Sequence, residues 1–504
     1  MRIICLWRTV LRQQAIILLL VSFLMTFAAC SEDHQTTTRP EETPSEQPGD
    51  KPGDTPEEPE PLAEEYDDGN DTIYVISRMP DATRYLPVFP TQADVDYIDD
   101  FIQWQWGVEQ REGFRGLMAS IRMGRNFDVL ADAMAWELSL PAISAEATPA
   151  IRRLLEKTYR TGRESTTIIR AAYNRPRPFA EQFETPWYAD DQYATGSSYP
   201  SATTAAGWAV ALVFAEMWPA LQDDILRLGF LFGEDRVVSG SNYQSDVNAG
   251  YLCGSAAVAQ AHNSQALRQD ILAAREEYKK LRGLPEDYDP VGEEGDPIGA
   301  NILNQPVTID SPRQNADKER YEYAKTFRND PDRCYQAIYD ADTEYSHLMQ
   351  TYGDALGISL SGQDTPAIYA LIDKIYNRSV AINKVIKGTY FRKRPYVELN
   401  EQTIVPEFEY DEYYSSSYPS GHASLSWAIS LMLAEMAPER QHELLSRAYD
   451  FGYNRVIAGY HWPTDIDAGR LMACILVAKL HTEDEYHQLI LRGRYEYLKA
   501  TGGL

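Results

Sequence analysis

Tyr418-Pro419-Ser420-Gly421-His422-Ala423 is the stretch whose reading decides the rest of the chain. Pro419, Ser420 and Gly421 make a turn, and an apolar run follows at once through Ala423, Leu425, Trp427, Ala428, Leu431 and Met432, the spacing of a helix. Small residues at a helix start let backbone N–H groups point outward, which favours an anion, and His422 stands beside that anion with a transferable proton. Pro-Ser-Gly-His carries little weight alone, and gains it from both flanks. Upstream, Lys387 is followed after six residues by Arg394-Pro395; downstream, Arg455 is followed after five residues by His461 and after three more by Asp465. Three cations, two imidazoles and a carboxylate in one constellation describe a phosphate site with a nucleophile and an acid.

Hydrolysing a phosphate monoester requires neutralised charge on the equatorial oxygens, an in-line nucleophile and a proton for the leaving oxygen. Lys387, Arg394 and Arg455 are candidates for the first requirement, with backbone N–H groups of Ser420 and Gly421 adding to them. His461 is assigned as nucleophile, giving a phosphohistidine that water then hydrolyses. Asp465, four residues on at an apparent helix start, is expected to accept a hydrogen bond from one imidazole nitrogen and leave the other free to attack. His422 would protonate the departing alkoxide and then activate water. A lone Arg or Lys is usually a solvated surface residue, and Arg392-Lys393-Arg394 by itself reads as a basic patch; only the companion motifs raise Arg394 above it. His347, His442, His481 and His487 have no such neighbours and read as surface or capping residues.

The ordered set Lys-x6-Arg-Pro, Pro-Ser-Gly-His and Arg-x5-His-x3-Asp resembles the type 2 phosphatidic acid phosphatase superfamily, which also holds vanadium haloperoxidases and bacterial class A non-specific acid phosphatases. The string Arg455 to Trp462, with Trp427 and Ala434-Glu435 after Gly421-His422, is most similar to the class A enzymes. The resemblance covers about Tyr339 to His481. It implies the same roles for His461, His422 and the three cations, an all-α helical-bundle fold, and no cofactor, with vanadate acting as inhibitor or phosphate mimic. Asn454 departs from the family's usual Ser before the arginine and is expected to donate to a phosphate oxygen instead.

The pattern occurs twice. Gly196 to Thr203 matches Ser415 to His422, Ala215-Glu216-Met217 matches Ala434-Glu435-Met436, and Asp235-Arg236-Val237-Val238 matches Asn454-Arg455-Val456-Ile457, in nearly constant register. In the first copy Arg170 stands for Lys387, Arg177-Pro178 for Arg394-Pro395, Thr203 for His422, Asn242 for His461 and Asp246 for Asp465. Cations survive and both imidazoles are gone, so this half is expected to be without turnover. Three roles stay open for it: Arg170, Arg177 and Arg236 bind an anion, or they pair with local carboxylates as a structural relic, or, because the resemblance implies dimers among class A relatives, the two copies pack face to face as an internal pseudo-dimer.

The tandem copies are placed at 73–283 and 317–504, with a Pro- and Gly-rich linker over 284–316. Helical spacing dominates and strand-like alternation is scarce, so both are expected to be all-α. Residues 1–30 read as a lipoprotein signal, with Arg2, Arg8 and Arg12 before an apolar run and Cys30 as the lipidated residue, although Phe27 replaces the usual Leu. Residues 31–72 lack apolar content and read as a disordered acidic tether. This places the protein outside the cytoplasm of a Gram-negative cell, on an outer membrane facing the periplasm or the cell surface. Cys253, Cys334 and Cys474 read as buried free thiols, and no Cys or His spacing matches a zinc site.

A net charge of −28 argues against nucleic acid as a partner and leaves a small phosphorylated substrate open, because a local cation cluster decides that. The leading expectation is a metal-independent acid phosphatase. A vanadium-dependent haloperoxidase and a non-catalytic phosphoryl-ligand binding protein are the alternatives. A serine hydrolase at Ser420 fits less well, since no Gly-x-Ser-x-Gly elbow occurs.

Overall fold

The computed structural model of the chain describes residues 72–503 apart from 76, 125, 188–195, 286–287 and 289–294. The signal segment, Cys30 and the tether up to residue 71 lie outside the described residues, as does part of the linker. Every regular element among the described residues is a helix, and none of these helices is long and apolar enough to cross a membrane.

Five helices form the frame of each copy: α1 (Pro149–Glu164), α2 (Ala202–Met217), α3 (Gln222–Val238), α4 (Gln244–Ala261) and α5 (Gln265–Arg282) in the first, and α6 (Pro366–Thr389), α7 (Gly421–Met436), α8 (Gln441–Ala458), α9 (Pro463–Leu480) and α10 (Asp484–Thr501) in the second. α2 and α7 are apolar on nearly all sides, so each becomes the centre of its copy. α2 packs on α1, α3 and α4; α7 packs on α6, α8 and α9. Trp208 and Trp427 are fully buried at these centres. Ser201 and Ser420 cap the two helices, their hydroxyls accepting from Thr204 and Ala423 N–H at 3.3 Å. α4 and α9 start alike: the carboxylates of Asp246 and Asp465 accept the backbone N–H groups of Tyr243 and Trp462 at 2.8 and 2.9 Å.

One hydrophobic core runs through both copies. α4 packs on α7 and α9 on α2, the same relation with the copies exchanged. Equivalent residues meet where they cross: the Ser255 hydroxyl lies 2.9 Å from the Cys474 sulfur and the Asn248 amide 2.9 Å from Asp467, each pair 219 residues apart. His262 stacks on His481 at 3.5 Å between ring centres, and each ring bonds the glutamate of its own copy, Glu216 or Glu435, at 2.8 Å. Short arms cross over as well. Residues Ala82–Arg84 pack on α8 of the second copy, and Gly299–Ile302, before the second copy, packs on α3 of the first. The free thiols Cys253 and Cys474 are buried, while Cys334 is only half-buried.

Candidate active site

Four segments bring the second-copy residues together. Lys387 is in the last turn of α6, Arg394 precedes the short helix Pro395–Leu399, Arg455 is in the last turn of α8, and His461 follows it in the turn to α9. Gly459 ends α8 at φ 103°, a conformation that side chains resist. The chain then folds back so that the N–H groups of Tyr460 and His461 both donate to the Arg455 carbonyl, at 3.0 and 3.3 Å. The five-residue spacing between Arg455 and His461 is thus the length of one closed turn.

His461 is 2% exposed. Its Nδ1 lies 2.8 Å from the Ser417 carbonyl, which can only accept, so Nδ1 carries the proton. Nε2 therefore presents its lone pair, and Arg394 Nη1 donates to it at 3.2 Å. Burial, then the Arg394 charge, push this imidazole down to about 3 although Asp465 opposes them, so it is neutral at any ordinary pH.

Asp465 sits one step further from the ring than its sequence spacing suggested. Its Oδ2 is 3.7 Å from Nδ1, and the carboxylate accepts instead from the Trp462 N–H at 2.9 Å, Arg392 Nη1 at 2.6 Å and the Ser417 hydroxyl. Against the upward push of burial, Arg392 and His461 hold this carboxyl far below its usual range. It fixes Ser417, whose carbonyl then fixes the imidazole. Arg392, which read as part of a basic patch, is 3% exposed and also binds Asp317 at 2.7 Å. The repeat carries a signal for it: Arg175 occupies the same place in the first copy, between Asp100 and Asp246 at 2.7 Å each.

The cations are held differently. Arg394 donates Nη1 to the Tyr460 carbonyl at 3.1 Å and pairs through Nη2 with Glu412, a residue the motifs did not indicate. Lys387 donates to the Ser416 carbonyl, and burial followed by repulsion from Arg394 lowers its ammonium to about 7. Arg455 is 2% exposed, lies over the Tyr460 ring at 4.4 Å, and has no hydrogen-bond partner at Nε or Nη1. Burial, with Arg394 adding to it, lowers its guanidinium to about 10.

His422 opens the first turn of α7, its Nε2 3.1 Å from the Ala341 carbonyl. Burial and then the charge of Arg455, with smaller effects of His461 and Arg394, hold its imidazole well below its ordinary value. Both rings and the three cations therefore share one electrostatic neighbourhood. The Ser420 N–H is already committed to the Asp465 carbonyl at 2.9 Å. Gly421 fits the expectation of open backbone better, since a Cβ built there meets nothing within 4 Å. Asn454 is fully buried and donates to Asp340 at 2.7 Å, so it braces the helix end and does not face the cations as expected.

In the first copy the same positions are tied to backbone carbonyls. Arg170 donates to Pro200 at 2.7 Å, Arg177 to Ser241 at 2.7 Å and Ser197 at 3.2 Å, and Arg236 to Arg122 at 3.0 Å and Gly124 at 3.3 Å. Asn242 donates to the Ser198 carbonyl at 2.7 Å, much as His461 does to Ser417. Thr203 and Ala202 stand where His422 and Gly421 do, and Asp246 keeps the place of Asp465 by accepting from Arg175. Among the described residues no cluster of three or more His, Cys, Asp or Glu could hold a metal ion.

Comparison with known proteins agrees with the repeat. The sequence family described as the PAP2 superfamily matches residues 161–269 and again 374–485. A non-specific acid phosphatase of Providencia stuartii is 33% identical over 199 residues, 39% of this chain and 80% of that protein. One from Salmonella typhimurium is 32% identical over 195 residues, 38% of this chain and 78% of the relative. An acid phosphatase of Zymomonas mobilis is 29% identical over 198 residues, 39% of this chain and 75% of the relative.

Proposed function

This chain belongs to the PAP2 superfamily, and from that premise we propose that its second copy is an acid phosphatase hydrolysing small phosphate monoesters through a phosphohistidine on His461. The observation that carries this reading is Arg455: a guanidinium 2% exposed, without hydrogen-bond partners at Nε and Nη1, near the charge of Arg394, which itself contacts the lone pair of His461 Nε2. Burying a cation with unmet donors is costly, and a tetrahedral oxyanion meets both needs at once.

In the first step Nε2 of His461 attacks phosphorus, the N–P bond forms, the P–O ester bond breaks, and the leaving oxygen takes a proton from His422. Arg394 releases Nε2 and turns its donors to a phosphoryl oxygen. Asp465 and Ser417 hold the Nδ1 proton, which stabilises the imidazole as it becomes cationic. In the second step His422 takes a proton from water, the oxygen attacks phosphorus, and the N–P bond breaks to free orthophosphate. Every one of these roles falls to a side chain or to water, so no metal is required in this scheme. Hydrolysis of p-nitrophenyl phosphate with and without EDTA, beside halide oxidation with vanadate and peroxide, tests the proposal; halide oxidation without ester hydrolysis would replace it with the haloperoxidase reading.

We further propose that the two copies form an internal pseudo-dimer, supported by the meeting of equivalent residues at His262 and His481 and by the exchanged arms. The leader with Cys30 supports lipid anchoring outside the cytoplasm, which metabolic labelling with a fatty acid and a Cys30→Ser variant would test.

A further inference from the structure

We propose that Glu412 is an internal anion that holds the phosphoryl position of the second copy while no ligand is bound, so that a phosphate group enters by exchange with a carboxylate of the chain itself. The inference rests on the reading of Lys387, Arg394 and Arg455 as the phosphate-holding cations. Glu412 ends the short helix Glu409–Glu412. That segment is tied down at its start, where the Glu409 carboxylate accepts from the Thr403 N–H at 2.7 Å and its carbonyl from the Tyr396 hydroxyl at 2.9 Å. Further along, Tyr410, Tyr413 and Tyr414 are exposed, so the stretch that carries Glu412 borders on water.

The donors of Arg394 show what has to yield. Nε donates to the Glu412 carbonyl at 3.1 Å, and Nη1 donates to the Tyr460 carbonyl at 3.1 Å and lies 3.2 Å from His461 Nε2. Nη2 is paired with the Glu412 carboxylate, with the neutral Ser415 hydroxyl 3.4 Å away. A guanidinium takes an oxyanion through a fork of two N–H groups, and a carboxylate offers that fork the same pair of oxygens as a phosphoryl group. An incoming phosphoryl oxygen therefore competes with Glu412 for Nη2. Among the described residues Arg394 is the one of the three cations that forms an ion pair.

The carboxylate also acts beyond Arg394. Against the upward push of burial, Arg394 first, then Lys387, His461 and Arg455 hold it below its usual range, and it opposes the losses that burial imposes on Lys387 and Arg455. It thus stands among the groups assigned to the phosphoryl oxygens. The Glu412 side chain is 35% exposed, so the carboxylate has a path to water, and the Nε bond to the Glu412 carbonyl can persist while the side chain swings out. A site whose open form is a fraction of the molecules binds with its affinity reduced by that fraction. Removing the carboxylate removes the reduction. A carboxylate that served only to orient Arg394 would act the other way, since its loss would loosen the guanidinium and weaken binding.

Calorimetric titration of the full chain with orthophosphate is the test. Glu412→Gln keeps the shape and removes the charge, Glu412→Ala removes both, and either decides the matter if the other does not fold. Each should bind orthophosphate about tenfold tighter than wild type or more. Adding Arg455→Ala to Glu412→Gln should abolish the tightened equivalent. Unchanged or weaker binding in a folded Glu412 variant, or a tightened equivalent that survives Arg455→Ala, would overturn the proposal. Hydrolysis of p-nitrophenyl phosphate with equal phosphate affinity in wild type and variants would defeat this inference alone. Tightened binding in a chain that hydrolyses no ester would uphold it and defeat the phosphatase reading.

Discussion

Arg394 Nη1 lies 3.2 Å from His461 Nε2, so the cation proposed to hold a phosphoryl oxygen rests on the lone pair of the proposed nucleophile. The same guanidinium pairs with Glu412 and suppresses protonation of the imidazole. A substrate phosphate would take over Arg394 and expose Nε2 in a single exchange of partners.

Arg455 is expected to act on the phosphoryl group alone, because its Nε and Nη1 have no structural partner to lose. Arg455→Ala should lower kcat/KM by roughly 10- to 150-fold, the equivalent of one charge-assisted contact of about 1.5–3 kcal/mol. Arg455→Lys should recover part of it. Steady-state kinetics on p-nitrophenyl phosphate measure both.

The pH dependence should fall on the alkaline side. The Lys387 ammonium titrates near 7, charged below and neutral above, and His422 loses its proton lower still. Both losses remove a needed proton as pH rises, whereas His461 is neutral throughout. The profile of kcat/KM, which reports the free enzyme, should therefore decline from acid toward pH 8. Lys387→Arg, which stays charged, should shift the upper part of that decline to higher pH.

Gly421→Ala separates binding from folding. The added methyl meets no protein atom within 4 Å, so the melting temperature should stay within a degree or two of wild type. Vanadate affinity should drop about tenfold or more, since the methyl stands where an oxyanion approaches the helix start. Thermal melts and vanadate inhibition check the two halves of this prediction.

Arg392→Ala leaves the carboxylates of Asp317 and Asp465 buried without their shared partner, and should cost about 3–5 kcal/mol in urea denaturation. Activity should fall with it, because Asp465 positions Ser417 and through it His461. Arg175→Ala, at the equivalent place between Asp100 and Asp246, should cost comparable stability and leave the kcat of the folded enzyme unchanged.

Much of this site was legible in the letters because its spacings are set by local turns. Pro-Ser-Gly-His is a helix cap, Arg-x5-His is the turn closed on the Arg455 carbonyl, and His-x3-Asp is a capping box with Asp465 inside the next helix. The helical class followed from the apolar spacing of α7 and the scarcity of strand-like alternation. What could not be read was who partners whom across the chain. Asp465 reached the imidazole only through Ser417, and Asn454 turned to Asp340, because those contacts span 44 to 114 residues. Arg392 looked like a surface charge until its two acids, brought by other segments, surrounded it.

The most direct measurement is a rapid-quench experiment with radiolabelled phosphate ester, stopped in alkali, in which a phosphohistidine survives, followed by peptide mapping. Label should appear on His461 in the wild type, accumulate further in His422→Ala, whose second step lacks its base, and be absent from an inactive His461→Ala. Undiminished turnover by His461→Ala, or label mapping to another residue, would contradict the mechanism.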